Sequence, residues 1–183
     1  MSDFAVRPLT SEDIPQIIDY WVNASPEFLR AMGADAGKIP ARAVWQANLE
    51  KVLTTPVREA NVFYLIWLVD GHALGFNSLK NIVLGETGEM HLHVWEKASR
   101  GKGYGGPLFC LAAIQFFERF ELKTICCEPS ASNAAPNKLL QRIGFPLVQT
   151  RVAASSELSL VCELNRYEIL RGIAEDYLRK FSG

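Results

Sequence analysis

Apolar positions along the chain recur with different periods, and each period predicts an element. Residues 4–7 read as a short strand. Thr10, Ser11, Glu12 and Asp13 then form a helix-capping signal ahead of Ile14, Ile17, Ile18 and Trp21 at helical spacing. A polar, glycine-containing stretch over 25–38 predicts a connection to a second helix over 40–53, with Val44, Trp45, Leu49 and Val52 on one face. The apolar run 62–69 ends in Asp70-Gly71, a strong hairpin signal, and 72–83 reads as the return strand. After a turn at 85–88, the strand expected over 89–96 places Glu89, His91, His93 and Trp95 on one face and Met90, Leu92 and Val94 on the other.

The second half changes rhythm. A glycine-rich segment at 100–106 precedes a helix over 107–120 that is apolar nearly all round its first turns and so predicted to be buried. Pro107 is tolerated in its first turn. A strand at 123–128, a helix at 133–143 closed by Gly144, strands near 145–152 and 157–164, and an amphipathic helix over 166–181 complete the chain. In that last helix Ile169, Ile173, Tyr177 and Phe181 align. Hairpins followed by a strand-helix-strand crossover predict a mixed α/β sheet in one domain spanning 1–183.

The 183 residues include 19 basic and 20 acidic side chains, and 49% are hydrophobic. That composition argues against disorder, and the balanced charge leaves no basic surplus for nucleic acid. No apolar run is long enough for a bilayer and the first residues lack a secretory signal, so the expectation is a cytoplasmic protein with no membrane partner. Cys110, Cys126, Cys127 and Cys162 show no zinc-ribbon spacing and are expected as reduced thiols, with no metal site.

Between strand and buried helix, Gly101, Gly103, Gly105 and Gly106 free the backbone to turn its N–H groups inward, where the helix dipole adds positive potential. A phosphate-type anion fits such a loop, although glycines that serve only the turn would read the same way. The segment is not a P-loop, and Rossmann spacing fails.

Arg100-x-x-Gly103-x-Gly105 resembles the acyl-CoA loop of the GNAT (Gcn5-related N-acetyltransferase) superfamily. Residues 133–145, an Asn followed twelve positions later by Phe145 in a Gly-Phe pair, resemble its second signature. The resemblance spans about residues 4–164. It implies the GNAT fold: a mixed, mostly antiparallel sheet of six to seven strands, splayed in the middle and flanked by helices. It also implies an acetyl-CoA-dependent N-acetyltransferase acting on a primary amine by direct attack in a ternary complex. By this likeness the amides from Gly101 through Lys102, Gly103, Tyr104 and Gly105 to Gly106 hold the CoA pyrophosphate behind Arg100. The pantetheine arm lies where 89–96 and 123–128 splay, Trp95 takes an apolar position beside the cofactor, and the His93 backbone N–H meets the thioester carbonyl. Asn133 caps a helix and touches pantetheine, and Lys138 meets a CoA phosphate or solvent.

An amine attacking a thioester must lose a proton, and Glu89 and His91 are the candidate bases, each matching a position that carries a base in some branch of the family. The stretch Glu128-Pro129-Ser130-Ala131-Ser132-Asn133 is similar to a segment of some aminoglycoside N-acetyltransferases, which makes Glu128 a candidate for the substrate amine. Trp21 is a candidate lining of the acceptor pocket, with core packing as the alternative. One departure stands out: Leu140 occupies the place where many members carry a Tyr that protonates the leaving sulfur, and Ser130, Ser132 and Tyr104 are possible substitutes. A thiolate leaves more readily than an alkoxide, so catalysis is weakened in principle rather than forbidden. The Glu128 segment slightly favours a small polyamine or aminoglycoside-like acceptor, and Leu140 favours a protein amine. An acyl-CoA-binding sensor or scaffold is the alternative in a different class. The terminal helix is compatible with a monomer or a homodimer.

Overall fold

The computed structural model describes residues 2–181. Its strands are β1 (Phe4–Pro8), β2 (Val62–Val69), β3 (His72–Val83), β4 (Thr87–Val94), β5 (Thr124–Cys127), β6 (Leu147–Ala153) and β7 (Cys162–Ile169). Its helices are α1 (Ile14–Val22), α2 (Pro26–Ala31), α3 (Arg42–Thr54), α4 (Gly105–Phe120), α5 (Ala134–Ile143) and α6 (Arg171–Phe181). The seven strands form one sheet in the order β1-β2-β3-β4-β5-β7-β6. Every neighbouring pair is antiparallel except β4 and β5. The expected mixed, mostly antiparallel sheet flanked by helices is therefore present.

Two apolar layers hold it. On one face, α4 buries Leu108, Phe109, Phe116 and Phe120 against Leu65, Trp67, Leu79 and Met90 of the sheet, with α5 and α6 outside it. On the other, Ile14, Ile17 and Ile18 of α1 and Trp45 and Leu49 of α3 pack on Tyr64, Ile66 and Phe76. The β2–β3 hairpin closes through Asp70 and Gly71, both at positive φ (50° and 79°), as a primed turn requires.

The β4–β5 ladder is short. Pairing runs from Thr87 opposite Thr124 to Glu89 opposite Cys126, and β4 then continues to Val94 while β5 ends at Cys127. The sheet is thus split from residue 90 onward, in the expected place.

Several elements differ from the sequence reading. The polar stretch 25–38 contains α2, started by Pro26 and by a Ser25 hydroxyl that accepts from Phe28 N–H at 3.2 Å. Helix α4 begins at Gly105, so the last two loop glycines are helical. The last strand is Cys162–Ile169 rather than 157–164, and the terminal helix starts at Arg171 rather than near 166. Residues 166–169 are extended because β5 and β6 offer their edges to them: Ile169 pairs with Ile125 and Arg166 with Gln149. Among the described residues, no helix is long and apolar enough to cross a membrane.

Candidate active site

Gly101 and Gly103 stand at φ of 77° and 87°, in the left-handed region that a side chain disfavours, and a Cβ on either would meet nothing within 4 Å. Among the described residues, no amide from Gly101 to Gly106 has a hydrogen-bond acceptor, and Tyr104, at the N-cap, supplies no side-chain cap. The loop therefore presents open, unpaired N–H groups at the positive end of a 16-residue helix, the environment a diphosphate needs. Gly105 abuts Leu139 of α5, 3.4 Å from where its Cβ would lie. Gly106 is buried, and a Cβ there would collide with the Tyr177 hydroxyl of α6, so it also lets two helices approach.

Arg100 fixes the end of β4. Its Nη2 and Nε donate to Val94 O at 2.7 and 3.2 Å, and its guanidinium lies 4.8 Å from the Phe28 ring centroid. Its side chain thereby ties the end of β4 to the start of the loop. Trp95 leans on Phe76 at 5.8 Å and donates from Nε1 to Ala73 O at 3.3 Å. Lys102 and Lys138 are exposed.

The split is lined by His91, Leu92 and His93 of β4, by 127–130, and by Asn133 and Pro136, with Met32, Gly33, Ser155 and Leu164 around it. Ladder geometry changes the role expected of His93. Trp95 N–H donates to Leu74 O at 3.1 Å, and antiparallel alternation then turns the N–H and C=O of residue 93 toward β3. Consistent with this, His93 O lies 2.5 Å from the position a Gly75 Cβ would take, while Val94 O points away from β3 to Arg100. The His93 amide is thus directed away from the split. The donors on the split side are the N–H groups of Leu92 and Val94, not the His93 N–H that the resemblance implies.

The His93 ring stacks on Phe76 at 4.7 Å, meets Trp21 edge-on at 4.9 Å, and has Nδ1 3.3 Å from the Tyr20 hydroxyl. Trp21 in turn stacks on Trp45 at 5.9 Å, which ties it to the α1–α3 layer. Burial holds the His93 imidazole well below its ordinary value. His91 is pushed down to about 3, by burial first and then by the Lys80 charge, and its Nε2 is shielded without a partner. Both rings are neutral at physiological pH. Glu89 sits on the last paired rung, accepts from Asn81 Nδ2 at 3.1 Å and does not line the split.

Glu128 is already engaged. Its carboxylate accepts from Arg151 Nη2 at 2.6 Å and Arg166 Nη1 at 2.9 Å, and those hydrogen bonds hold its pKa low against the opposing effect of burial. Both guanidiniums occupy this carboxylate, so it is not free to pair with an ammonium. Asn133 is at the N-cap of α5 but its side chain makes no capping bond; it lines the split instead. Leu140 is fully buried in the α4-side core, so the leaving sulfur has no hydroxyl from that position. Of the possible substitutes, Tyr104 packs on Phe4 at 5.7 Å, while Ser130 lines the split and pairs with Ser132 at 2.9 Å.

A residue the sequence reading passed over organises this wall. Buried Asn137 donates to Ser130 O (2.9 Å) and Asn133 O (2.7 Å), and accepts from Asn165 Nδ2 (2.8 Å) and the Tyr167 hydroxyl (3.1 Å). Its interior position in an amphipathic helix was the available signal: a polar side chain at a core position must be fully bonded. Asn137→Leu is expected to cost about 3 kcal/mol or more, because several buried partners lose their bonds at once. A urea midpoint unchanged from the parent would contradict that account.

Comparison with known proteins agrees with this geometry. The sequence pattern of the family described as acetyltransferase (GNAT) domain matches residues 3–146. A search of curated protein sequences finds no match. Among solved structures, the chain resembles a spermidine N-acetyltransferase from Vibrio cholerae in complex with CoA and spermine: TM-score 0.75, 15% identity, 94% of this chain and 98% of that one covered. It also resembles a ribosomal-protein-S5-alanine acetyltransferase from Vibrio fischeri (TM-score 0.73, 15% identity, 93% and 97% covered). A third is an aminoglycoside acetyltransferase in complex with coenzyme A (TM-score 0.72, 18% identity, 95% and 98% covered). With an amide-lined glycine loop before α4, a sheet split after residue 89 and a family match over most of its length, the chain belongs to the GNAT acetyltransferase family, whose acetyl donor is acetyl-CoA.

Proposed function

We propose that the protein moves an acetyl group from acetyl-CoA to a primary amine by direct attack in a ternary complex within the split between β4 and β5. The observation that carries this reading is the set of unpaired amides at 101–106, standing at the N-terminus of α4 beside that split. These amides hold the diphosphate, the pantetheine arm runs between β4 and β5 toward Asn133, and the Leu92 or Val94 N–H donates to the thioester oxygen as it gains negative charge. The acceptor nitrogen forms the C–N bond while the C–S bond breaks. The sulfur departs as thiolate, with the Ser130 hydroxyl a side-chain donor on the split wall.

Proton removal is the weak step. A neutral His91 lines the split and takes the proton through water, but a conjugate acid near 3 makes it a poor base for an alkylammonium. Glu89 is one rung outside the split. The acceptor therefore arrives largely deprotonated, and kcat/KM climbs with pH up to the pKa of the amine itself, with no inflection near 6.5. Glu128 is shared by Arg151 and Arg166, so a small polyamine or aminoglycoside-like acceptor would have to find its cation partner elsewhere.

Release of free CoA thiol, measured over a panel of amines, tests the reading. His91→Ala is expected to lower kcat by about 10-fold, less than the roughly 100-fold or more of a well-matched general base, and Glu89→Gln by less. Equal rates in both variants and the parent would remove the base assignment. Tight acetyl-CoA binding with no thiol released from any amine would select a sensor instead.

A further inference from the structure

Asn77 stands in the middle of β3 with no exposed surface, on the sheet face that α4 covers. Trp67, Leu79 and Met90 make that face apolar, and an amide side chain among them loses its hydration. Asn77 Oδ1 accepts from Trp67 Nε1 at 2.5 Å, and Asn77 Nδ2 donates to His91 O at 2.7 Å.

The His91 carbonyl is already served without that second bond. Residue 91 has the parity of 93 and 95, so its N–H and C=O face β3 and pair there with Ser78. Asn77 is an additional donor, and what it adds falls on the peptide unit that joins His91 to Leu92. That unit is planar and trans, so its C=O and N–H point in opposite directions. With the carbonyl held on the β3 side, the Leu92 N–H is aimed across into the split. Pairing with β5 has ended at Glu89, and among the described residues the Leu92 N–H has no backbone acceptor beyond the strands. A bond to an amide oxygen also strengthens the N–H of the same amide as a donor, by about 10–30% in condensed-phase estimates. Strand register denies the same support to Val94. Leu92 is opposite Asn77, whereas Val94 is opposite Gly75, which has no side chain to offer the His93 carbonyl.

We propose that Asn77 is a positioning residue for the transfer: through the His91 carbonyl it aims and polarises the Leu92 N–H, which, rather than that of Val94, donates to the thioester oxygen. The inference rests on the acetyl transfer proposed above, and adds to it which backbone donor acts and what holds it. An oxyanion donor must be fixed before charge develops, and β4 beyond Glu89 has only β3 to fix it.

The test pairs kinetics with backbone amide NMR. Asn77→Leu is expected to lower kcat about 10-fold, part of the roughly 100- to 1,000-fold lost when such a donor is removed outright, with the CoA Kd within about twofold of the parent. Because this change strands the buried Trp67 indole N–H, Trp67→Phe/Asn77→Leu, which removes both partners, is measured beside it and should show the same fall in kcat. Phe120→Leu, at the end of α4 opposite the loop, is the packing control: its urea midpoint falls and its kcat does not. In the parent, amide spectra with CoA bound are compared with those with acetyl-CoA bound, so that the difference reports the acetyl carbonyl. The Leu92 proton is expected to move downfield and the Val94 proton to stay, a readout that needs no variant. In the Asn77 variants the Leu92 movement shrinks. Parent kcat in the double variant, or movement of the Val94 proton in place of Leu92, with CoA bound and thiol released, overturns the role of Asn77 alone. Absence of CoA binding by the parent overturns the acetyl transfer reading beneath it as well.

Discussion

Gly103→Val is expected to weaken CoA binding by about 10- to 100-fold while leaving the fold intact. A β-branched residue is a genuine outlier at the φ of 87° found there, so the loop must relax toward negative φ and turn at least one amide out of the set that faces the diphosphate. A lost hydrogen bond to a charged group corresponds to about 1.5–3 kcal/mol, which sets that range. The added Cβ has no neighbour within 4 Å, so the stability cost is limited to the backbone strain of a side chain at this φ, about 1–2 kcal/mol. Gly85→Val is the matched control: the glycine is also at positive φ (75°) and also open, but on a turn far along the chain from the loop. Calorimetry that gives the same Kd for both variants and the parent would remove the loop from the cofactor site.

Acidification is expected to destabilise the protein well before its carboxylates titrate. His91 and His93 are held below their ordinary pKa by burial, so the unfolded chain binds protons near pH 6.5 that the native one refuses. Their contribution to stability is complete above pH 6.5 and is lost as pH falls toward their native values. For two such groups the loss reaches up to about 4 kcal/mol by pH 5. Asp13 and Glu128, both with lowered pKa, add their own loss only at lower pH. Urea midpoints at pH 7.5, 6.5, 5.5 and 5.0 measure the effect, and His93→Phe, which keeps an aromatic ring beside Phe76 and Trp21, should flatten it by about half. A stability that does not change between pH 7.5 and 5 would contradict the burial of these rings in neutral form.

The two experiments probe the loop before α4 and the side chains of β4. One tests backbone groups that stay exposed to a ligand; the other tests side chains that the α1 and α3 layer has taken from water. That difference also explains which parts of the site were legible beforehand. The glycine loop was readable because glycine adopts its left-handed conformation without the cost a side chain adds, and Gly144 closes α5 at a φ of 102° for the same reason. The alternation of Glu89, His91, His93 and Trp95 was readable because strand side chains have a period of two. The charge state of His91 and the engagement of Glu128 were not. Each depends on groups distant in the chain: burial first and then Lys80 for the former, Arg151 and Arg166 for the latter.

The same division runs through the secondary structure. Residues 166–169 carry a pattern that suits a helix, yet they are a strand because β5 and β6 present unpaired edges that only the assembled sheet contains. The direction of the His93 amide follows from its register against β3, which no local pattern specifies. What the sequence determined by itself was the set of elements whose signals are local: the primed turn at Asp70-Gly71, the Gly101 and Gly103 bend and most of the helix and strand positions. Tertiary structure alone decided which strand edges stay unpaired, which backbone donors face the split and which buried carboxylate is already neutralised. Those features arise from hydrogen-bond pairing and desolvation between residues far apart in the chain, and neither has a sequence period to read.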